Sequence, residues 1–387
     1  MTTQILEPGA LVGVLGGGQL GAMFASAARR MGYHVAVWDP DSEAPAHQIA
    51  RHSFMTAFSD LPSREPFARM VQATTLEWEN VPAELCRWLE ERHPMRPSSR
   101  VLGTLQDRIA QKQFLSSRQL PVAPFAMVES ADQLDEAVAR LGYPVVCKTA
   151  TSGYDGKGQW ILRTPADVKQ VETTLRQAEM NQRWIVERLI VLARELSVLV
   201  VRDERGEFRL YPVVENRHEQ GILRATRVPA PIDSGVAEQA KELSLQAVAA
   251  LRGIGVFCVE LFHTEDGNLL INEIAPRPHN SGHYTLDVCS VSQFEQQVRV
   301  TCGLPLGETR LLSPAVMVNL IGEEVRSVMS AEGCSSLHAT SGAVLHLYGK
   351  QRIRPGRKMG HVTFTGSQEE VVAAVAQKFV GNLGRSA

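Results

Sequence analysis

The chain has 387 residues, 44% of them hydrophobic and 21% charged, with a formal net charge of −2. That length and balance fit a globular chain of two or three domains. With near-neutral charge nothing global argues for a nucleic-acid or membrane partner, none is expected, and any anion binding must come from local clusters; no apolar run approaches the ~20 residues of a membrane span. Cys86, Cys147, Cys258, Cys289, Cys302 and Cys334 form no C-x-x-C pair, so they read as reduced thiols and not as a disulfide framework or zinc site. The opening MTTQILEPGA carries no basic segment; no secretory leader is expected, and the cytoplasm is the expected compartment.

In chain order, Leu11 to Leu15 reads as a strand, Gln19 to Met31 as an Ala-rich helix stopped at Gly32, and His34 to Trp38 as a second strand ending at Asp39. Strand–helix alternation continues to about Ser99, which predicts a parallel α/β domain over 1–104. The turn-rich HPMRPSSR precedes a helix from about Asp107 to Arg118, and Pro165 opens another. RWIVERL, RELSVLVVRD and EFRLYPVVEN then show the period of two expected of antiparallel strands. Ser234 to Arg252 reads as a helix, GVFCVELFHTEDGNLLINEIA as a hairpin about Asp266-Gly267, and Ser292 with Glu295 as a capping box. These elements define a second unit over 105–303. Over 304–387 the chain shifts to short strands and a final helix near Gln368 to Phe379, a small β-rich lobe.

Three features carry chemistry. GGGQLG places Gly16, Gly18 and Gly21 between strand and helix, with Asp39 ending the next strand. That is the dinucleotide fingerprint in its usual context; it equally suits close packing of the turn or a different phosphate. In the hairpin, a turn at Asp266-Gly267 makes opposed residues sum to 533, so Glu260 faces Glu273. Two like charges among Val259, Leu261, Ile271 and Ile274 make sense with a hard cation such as Mg²⁺ between them. Lastly, Lys148 ends an apolar strand and leads into SGYDGKGQ, where Gly153, Gly156 and Gly158 free the backbone N–H groups to close over phosphates. Lys157 is not followed by Ser or Thr, so the metal must be held elsewhere, in agreement with the glutamate pair.

With these features the chain resembles the ATP-grasp superfamily: an N-terminal α/β domain, a strand lysine, a glycine-rich flap, WIVERLI with a later glutamate, and a hairpin bearing two glutamates. Within it, GVLGGGQLG, TLEWENVP, GYDGKGQ, VENRHEQGIL, NEIAPRPHNSGH and YGKQRIRPGRKMGHV are similar to the 5-(carboxyamino)imidazole ribonucleotide synthetase family of purine synthesis. The resemblance implies an ATP-grasp fold, α/β and α+β, with a Rossmann-like N-terminal domain. It implies ATP and Mg²⁺ as cofactors, bicarbonate and aminoimidazole ribonucleotide as substrates, and a homodimer. It binds no nicotinamide, so the glycine turn passes to the phosphoribosyl side.

Residue by residue, the resemblance implies that Arg108 and Lys148 contact ATP phosphates and that Gly153, Tyr154, Asp155, Gly156, Lys157, Gly158 and Gln159 form the flap. Glu187, Arg188, Leu189 and Ile190 form the strand whose backbone reads adenine. Glu195 takes the ribose hydroxyls, and His218 lies near the nucleotide. Glu260 and Glu273 bind Mg²⁺, flanked by Asn272, whose side chain should leave the opposite face of its strand. Many superfamily members carry an Asn ligand two residues later; Ala275 stands there. Gln19, Leu20, Glu77, Asn80, Lys350, Arg357 and Lys358 take aminoimidazole ribonucleotide. Arg277, His279 and Asn280 orient bicarbonate, and Tyr154 and Asp155 face it, with Asp155 as base or orienter. An irregular loop with capping side chains is the competing account of Asn280 and His283. A nicotinamide oxidoreductase, a non-catalytic nucleotide sensor and a formate-dependent glycinamide ribonucleotide transformylase are the alternatives to a carboxylating ligase.

Overall fold

The computed structural model describes residues 5–151, 153, 158–176 and 182–383. The chain forms three sheets that follow one another in sequence. The first holds β1 (Leu11–Leu15), β2 (His34–Trp38), β3 (His52–Phe54) and β4 (Ala73–Leu76), all parallel in the order β3-β2-β1-β4. Alternation sends Val12, Val14, Val35 and Val37 to one face, against the helix Gln19–Arg30, and Leu15, Ala36 and Trp38 to the other, against Phe67 and Leu85. Both faces are covered, as a parallel sheet requires. The helix Gln293–Thr301 adds Phe294 and Val298 to the first of these cores, so a late segment of the chain seals the N-terminal unit. Ser292 caps it by accepting from Glu295 N–H, but the Glu295 carboxylate turns to Arg299 and Arg30, leaving half a capping box.

The second sheet is antiparallel, with β5 (Phe125–Val128), β6 (Val145–Thr149), β7 (Gln159–Leu162) and β8 (Trp184–Arg188) in the order β5-β8-β6-β7. The third contains β9 (Leu192–Arg202), β10 (Phe208–Leu210), β11 (Val214–Glu219), β12 (Ile222–Val228), β13 (Gly255–Thr264), β14 (Leu269–Ala275), β15 (Ala315–Ile321), β16 (Ala343–Leu347) and β17 (Lys358–Thr365). Its order is β14-β13-β9-β11-β12-β15-β17-β16, with β10 on β9. The strands of the expected C-terminal lobe therefore extend this sheet through β12–β15 pairing and build no sheet of their own. The segment also holds the helices Glu324–Met329 and Ala331–Ala339, and β17 arises just after the basic run, where the sequence reading named no strand. Among the described residues, no helix is long and apolar enough to cross a membrane. All six cysteines are free, five of them buried.

The hairpin of β13 and β14 reaches the expected pairing by an unexpected route. The turn is Glu265-Asp266-Gly267, closed by Thr264 opposite Asn268 with Gly267 at φ +84°, a three-residue loop whose last position favours glycine. Near the turn, paired residues sum to 532 (Phe262 with Leu270). A bulge at Asn272 inserts one residue, after which Glu260 pairs with Glu273. Two offsets cancel. The bulge also puts Ile271 and Ile274 on the same face, with Val259 and Leu261, against the helix Ser234–Leu251. Those apolar neighbours lie behind the glutamates. Period two fails at Asn272, so alternation does not set its side chain opposite Glu273.

Candidate functional site

The glycine turn after β1 is filled by the protein's own acids. Asp39 accepts from Gly17 N–H at 2.6 Å and from Asp41 N–H at 2.7 Å, and Glu77 accepts from Gly18 N–H at 3.3 Å. A Cβ on Gly16 (φ +99°) or Gly18 would collide with the Glu77 carboxylate. The glycines therefore make room for Glu77, and the Asp39 carboxylate, on which the dinucleotide reading relied for a ribose, is committed to backbone. Burial and then Asp39 push Glu77 up to about 7, against Arg277 and Lys350. Gln19 and Leu20 open the helix beside this turn, and Asn80 lies half-buried in the loop after β4.

Arg277 joins this acidic pocket to the hairpin. It donates to Glu79 Oε1 at 3.0 Å. Burial works against its charge, but Glu79, Glu77 and Glu273 together raise its pKa. Glu79 was absent from the sequence reading; its spacing of two from Glu77 was the available signal. His279 is placed by Gln293, which accepts from its backbone N–H and donates to its carbonyl. Its Nε2 lies 3.1 Å from Glu260 Oε1. Burial, then the nearby cations Arg277 and Lys358, hold His279 well below the ordinary range, hence neutral. Asn280 exchanges both amide bonds with Asn319, at 3.1 and 2.6 Å, so its amide braces the loop against β15; the side chain that caps this loop is His279, which accepts from Ser281 N–H. His283 is fully buried beside Gln293 and the His361 ring.

Burial and then Glu273 raise Glu260 to about 7. Cys258 lies within ligand reach of Glu260 and His279, but burial raises its thiol pKa far, and a protonated sulfur does not suit a hard cation. Asp287, His346 and His361 form a second such group. The His346 and His361 rings stack at 14° with centroids 4.5 Å apart, so their in-plane lone pairs run side by side and cannot converge on one ion.

On the nucleotide side, Arg108 opens the helix Arg108–Ser117, capped by Asp107, and donates to the carbonyls of Thr149 (3.1 Å) and Gly153 (2.7 Å) at the base of the flap. Lys148 is not a lone ammonium. It pairs with Glu187, whose other oxygen meets Lys112 at 2.8 Å. Burial pushes Glu187 up and Lys112 down, but two ammoniums act on one carboxylate, and Lys148, then Lys112, hold it at about 2. The triad carries one net positive charge. Lys112 escaped the sequence reading although it lies four residues from Arg108, on the same helix face. Glu187 is a correction: β8 pairs on both sides, with β5 and β6, so its side chain and not its backbone is what it offers. Arg188 and Leu189 give their N–H groups to Pro124 and Pro144, and the Arg188 guanidinium turns to Leu141. That leaves Ile190, whose N–H no described residue takes. Glu195 and His218 come together as an ion pair. Gly158 precedes β7 and Gln159 opens it; Tyr154, Asp155, Gly156 and Lys157 lie outside the described residues.

The basic loop before β17 docks on the N-terminal unit through Arg352, which meets Glu43 at 3.0 and 3.1 Å. This brings Lys350 within electrostatic reach of Glu77; it also donates to Lys358 O at 2.8 Å. Lys358 begins β17 and acts on His218 and His279. Arg357 donates back to Arg352 O at 2.8 Å.

The chain matches the ribonucleotide synthetase preATP-grasp domain over residues 10–106, the ATP-grasp domain over 113–294 and the phosphoribosylaminoimidazole carboxylase C-terminal domain over 315–375. It is 40% identical over 388 residues to the N5-carboxyaminoimidazole ribonucleotide synthase of Bacillus subtilis, with full coverage of both chains. A solved N5-carboxyaminoimidazole ribonucleotide synthetase in complex with ADP superposes with TM-score 0.92 at 41% identity, covering 97% of each chain. The enzyme of Aspergillus clavatus, solved with ADP and 5-aminoimidazole ribonucleotide, gives TM-score 0.88 at 30% identity, covering 98% of this chain and 99% of that one.

Proposed function

The chain belongs to the N5-carboxyaminoimidazole ribonucleotide synthase family of ATP-grasp ligases, and on that premise we propose how its residues divide the work of carboxylating 5-aminoimidazole ribonucleotide with bicarbonate and ATP. The carrying observation is Arg277, which donates to Glu79 and lies within electrostatic reach of both Glu77 and Glu273. A single guanidinium thus spans the ribonucleotide pocket and the phosphate end of the nucleotide site, where a carboxyl group has to change hands.

A bicarbonate oxygen attacks the γ-phosphorus of ATP, the bond to the β-phosphate oxygen breaks, and ADP leaves carboxyphosphate. The exocyclic amine then bonds to the carboxyl carbon, directly or through CO₂ held in the site; phosphate departs and the amine loses a proton. Lys148 and Arg108 neutralise phosphate charge, and the Lys112–Glu187–Lys148 triad keeps that end of the site cationic before nucleotide arrives. Ile190 N–H faces the base and Glu195 the ribose. Arg277 holds the bicarbonate-derived carboxyl, beside neutral His279, whose Nε2 meets Glu260. The glycine turn, lined by Glu77 and Asp39, repels phosphate and suits ribose hydroxyls, so the substrate phosphate goes to Lys350, with Arg357 and Lys358. Asp155 is proposed as base or orienter; Asp155→Asn should cut carboxylation while nucleotide still binds.

Glu260 and Glu273 fit a hard divalent cation: they pair across two strands, and Glu260 is pushed up by burial and by Glu273, a strain that a cation relieves. Mg²⁺ held there would supply charge neutralisation of the triphosphate. Family likeness supports a cytoplasmic homodimer, with light scattering as the test of assembly. The deciding assay is phosphate release that requires both bicarbonate and aminoimidazole ribonucleotide. Release driven instead by formate and glycinamide ribonucleotide would replace this reading with the transformylase.

A further inference from the structure

Behind His279 lies a buried chain of hydroxyl and amide groups that the third sheet lines up. Ser197 on β9 pairs with Glu260 on β13, and Asn216 on β11 pairs with Thr226 on β12. Ser197, Asn216, Thr226 and Ser281 are all buried. The Thr226 hydroxyl meets Asn216 Oδ1, Asn216 Nδ2 meets Ser197 Oγ, Ser197 Oγ meets Ser281 Oγ, and Ser281 Oγ meets His279 Nδ1, each at 2.9 Å. The far ring nitrogen, Nε2, then faces Glu260 Oε1.

One member of this chain has no choice of direction. The backbone N–H of Ser281 can only donate, and it points at His279 Nδ1 from 3.3 Å. Nδ1 is therefore an acceptor, and a neutral ring with an accepting Nδ1 carries its proton on Nε2. Ser281 Oγ must then donate to Nδ1 as well. It can accept from Ser197, which in turn accepts from the Asn216 amide, while Asn216 Oδ1 receives the Thr226 hydroxyl. Every donor meets an acceptor in this one sense, from Thr226 through Asn216, Ser197 and Ser281 to His279 and Glu260.

We propose that this chain fixes His279 as its Nε2–H tautomer and that Ser281, backed by Ser197 and Asn216, is a positioning residue keeping that N–H on Glu260. The other tautomer would set a nitrogen lone pair against the carboxylate and drive Glu260 from its place opposite Glu273. The hydrogen-bond direction stands on geometry; its effect on turnover rests on the carboxylation reading above.

The test uses the full chain with ¹⁵N-labelled histidine, His279 being assigned by the signal lost in His279→Gln. The native ring should show the Nε2–H pattern. Asn216→Asp offers only acceptors, so Ser197 turns its hydroxyl toward the carboxylate and draws the Ser281 hydroxyl after it; the ring should shift toward Nδ1–H. Ser281→Ala removes one of two donors to Nδ1 and should shift it less, in the same sense. Turnover of Asn216→Asp should fall about tenfold, as for partners that orient a ligating side chain, with ATP affinity held within about twofold. A native ring protonated on Nδ1, or folded variants with unmoved His279 signals, overturns the tautomer lock. A shifted tautomer with native turnover removes the positioning role. A native chain that keeps the Nε2–H ring but lacks carboxylation sinks the functional reading and leaves the lock standing.

Discussion

Replacing Lys112 by Met keeps the length of the stem and deletes one of the two ammoniums on a buried carboxylate. Glu187 is held from 4.5 down to about 2, a difference worth about 3 kcal/mol at roughly 1.4 kcal/mol per unit. Lys148 supplies the larger share and Lys112 the next. Burial of Glu187 is the same with and without Lys112 and cancels from the difference; we expect about 3 kcal/mol, the lower end for a broken buried pair. Urea unfolding measures it as a lowered midpoint with an unchanged slope. The pH dependence gives a second reading. A carboxylate depressed by its partners stabilises the fold above its unfolded pKa, and that stability is lost as pH falls from 4.5 toward 2. In Lys112→Met the contribution shrinks, so the acid-side loss should become shallower. Adding Glu187→Leu should recover much of the loss, because the burial penalty disappears with the charge. A single variant within about 0.5 kcal/mol of native would refute the triad as an ionised unit.

Glu260→Gln should cut ATP-dependent turnover at least ~100-fold, yet raise the unfolding midpoint at pH 8 by the equivalent of about 1–3 kcal/mol, since a carboxylate raised to about 7 burdens the fold when ionised; a lower midpoint contradicts this. Gly18→Ala places a methyl against the Glu77 carboxylate, so the KM for aminoimidazole ribonucleotide should rise about tenfold or more while the thermal shift with ATP is kept. Burial holds His93 at about 4 and His279, His283 and His361 well below 6.5. Below pH 6.5 the unfolded chain takes up protons these rings refuse, so calorimetry should show stability falling as pH drops from 6.5 toward 4.5. Glu77, raised to about 7, takes up a proton in the folded state over that window and offsets part of the fall; Glu77→Gln should steepen it.

Local chemistry in the sequence determined a good deal. The apolar runs Leu11–Leu15 and His34–Trp38 become β1 and β2 with those bounds, because a strand covered on both faces needs only continuous apolar residues. The pairing of Glu260 with Glu273 was legible, though only because a longer turn and a bulge offset one another; a one-residue slip inverts a face, and sequence shows neither bulge nor register. The glycine turn marks the limit more sharply. GGGQLG specifies a tight strand–helix turn with free N–H groups, and what fills it depends on Glu77, 59 positions from Gly18. Lys148 likewise gave no hint that Glu187, 39 residues away, would hold it. Nor did the basic run show which cation reaches the cleft: Arg352 is spent on Glu43, and Lys350 comes near Glu77. Residue type and period fix which groups a segment offers, through backbone geometry that acts over a few residues. Which of those groups remain available for a ligand is settled by partners that only chain folding brings near, since in a buried site each charge takes whatever opposite charge or dipole packing supplies.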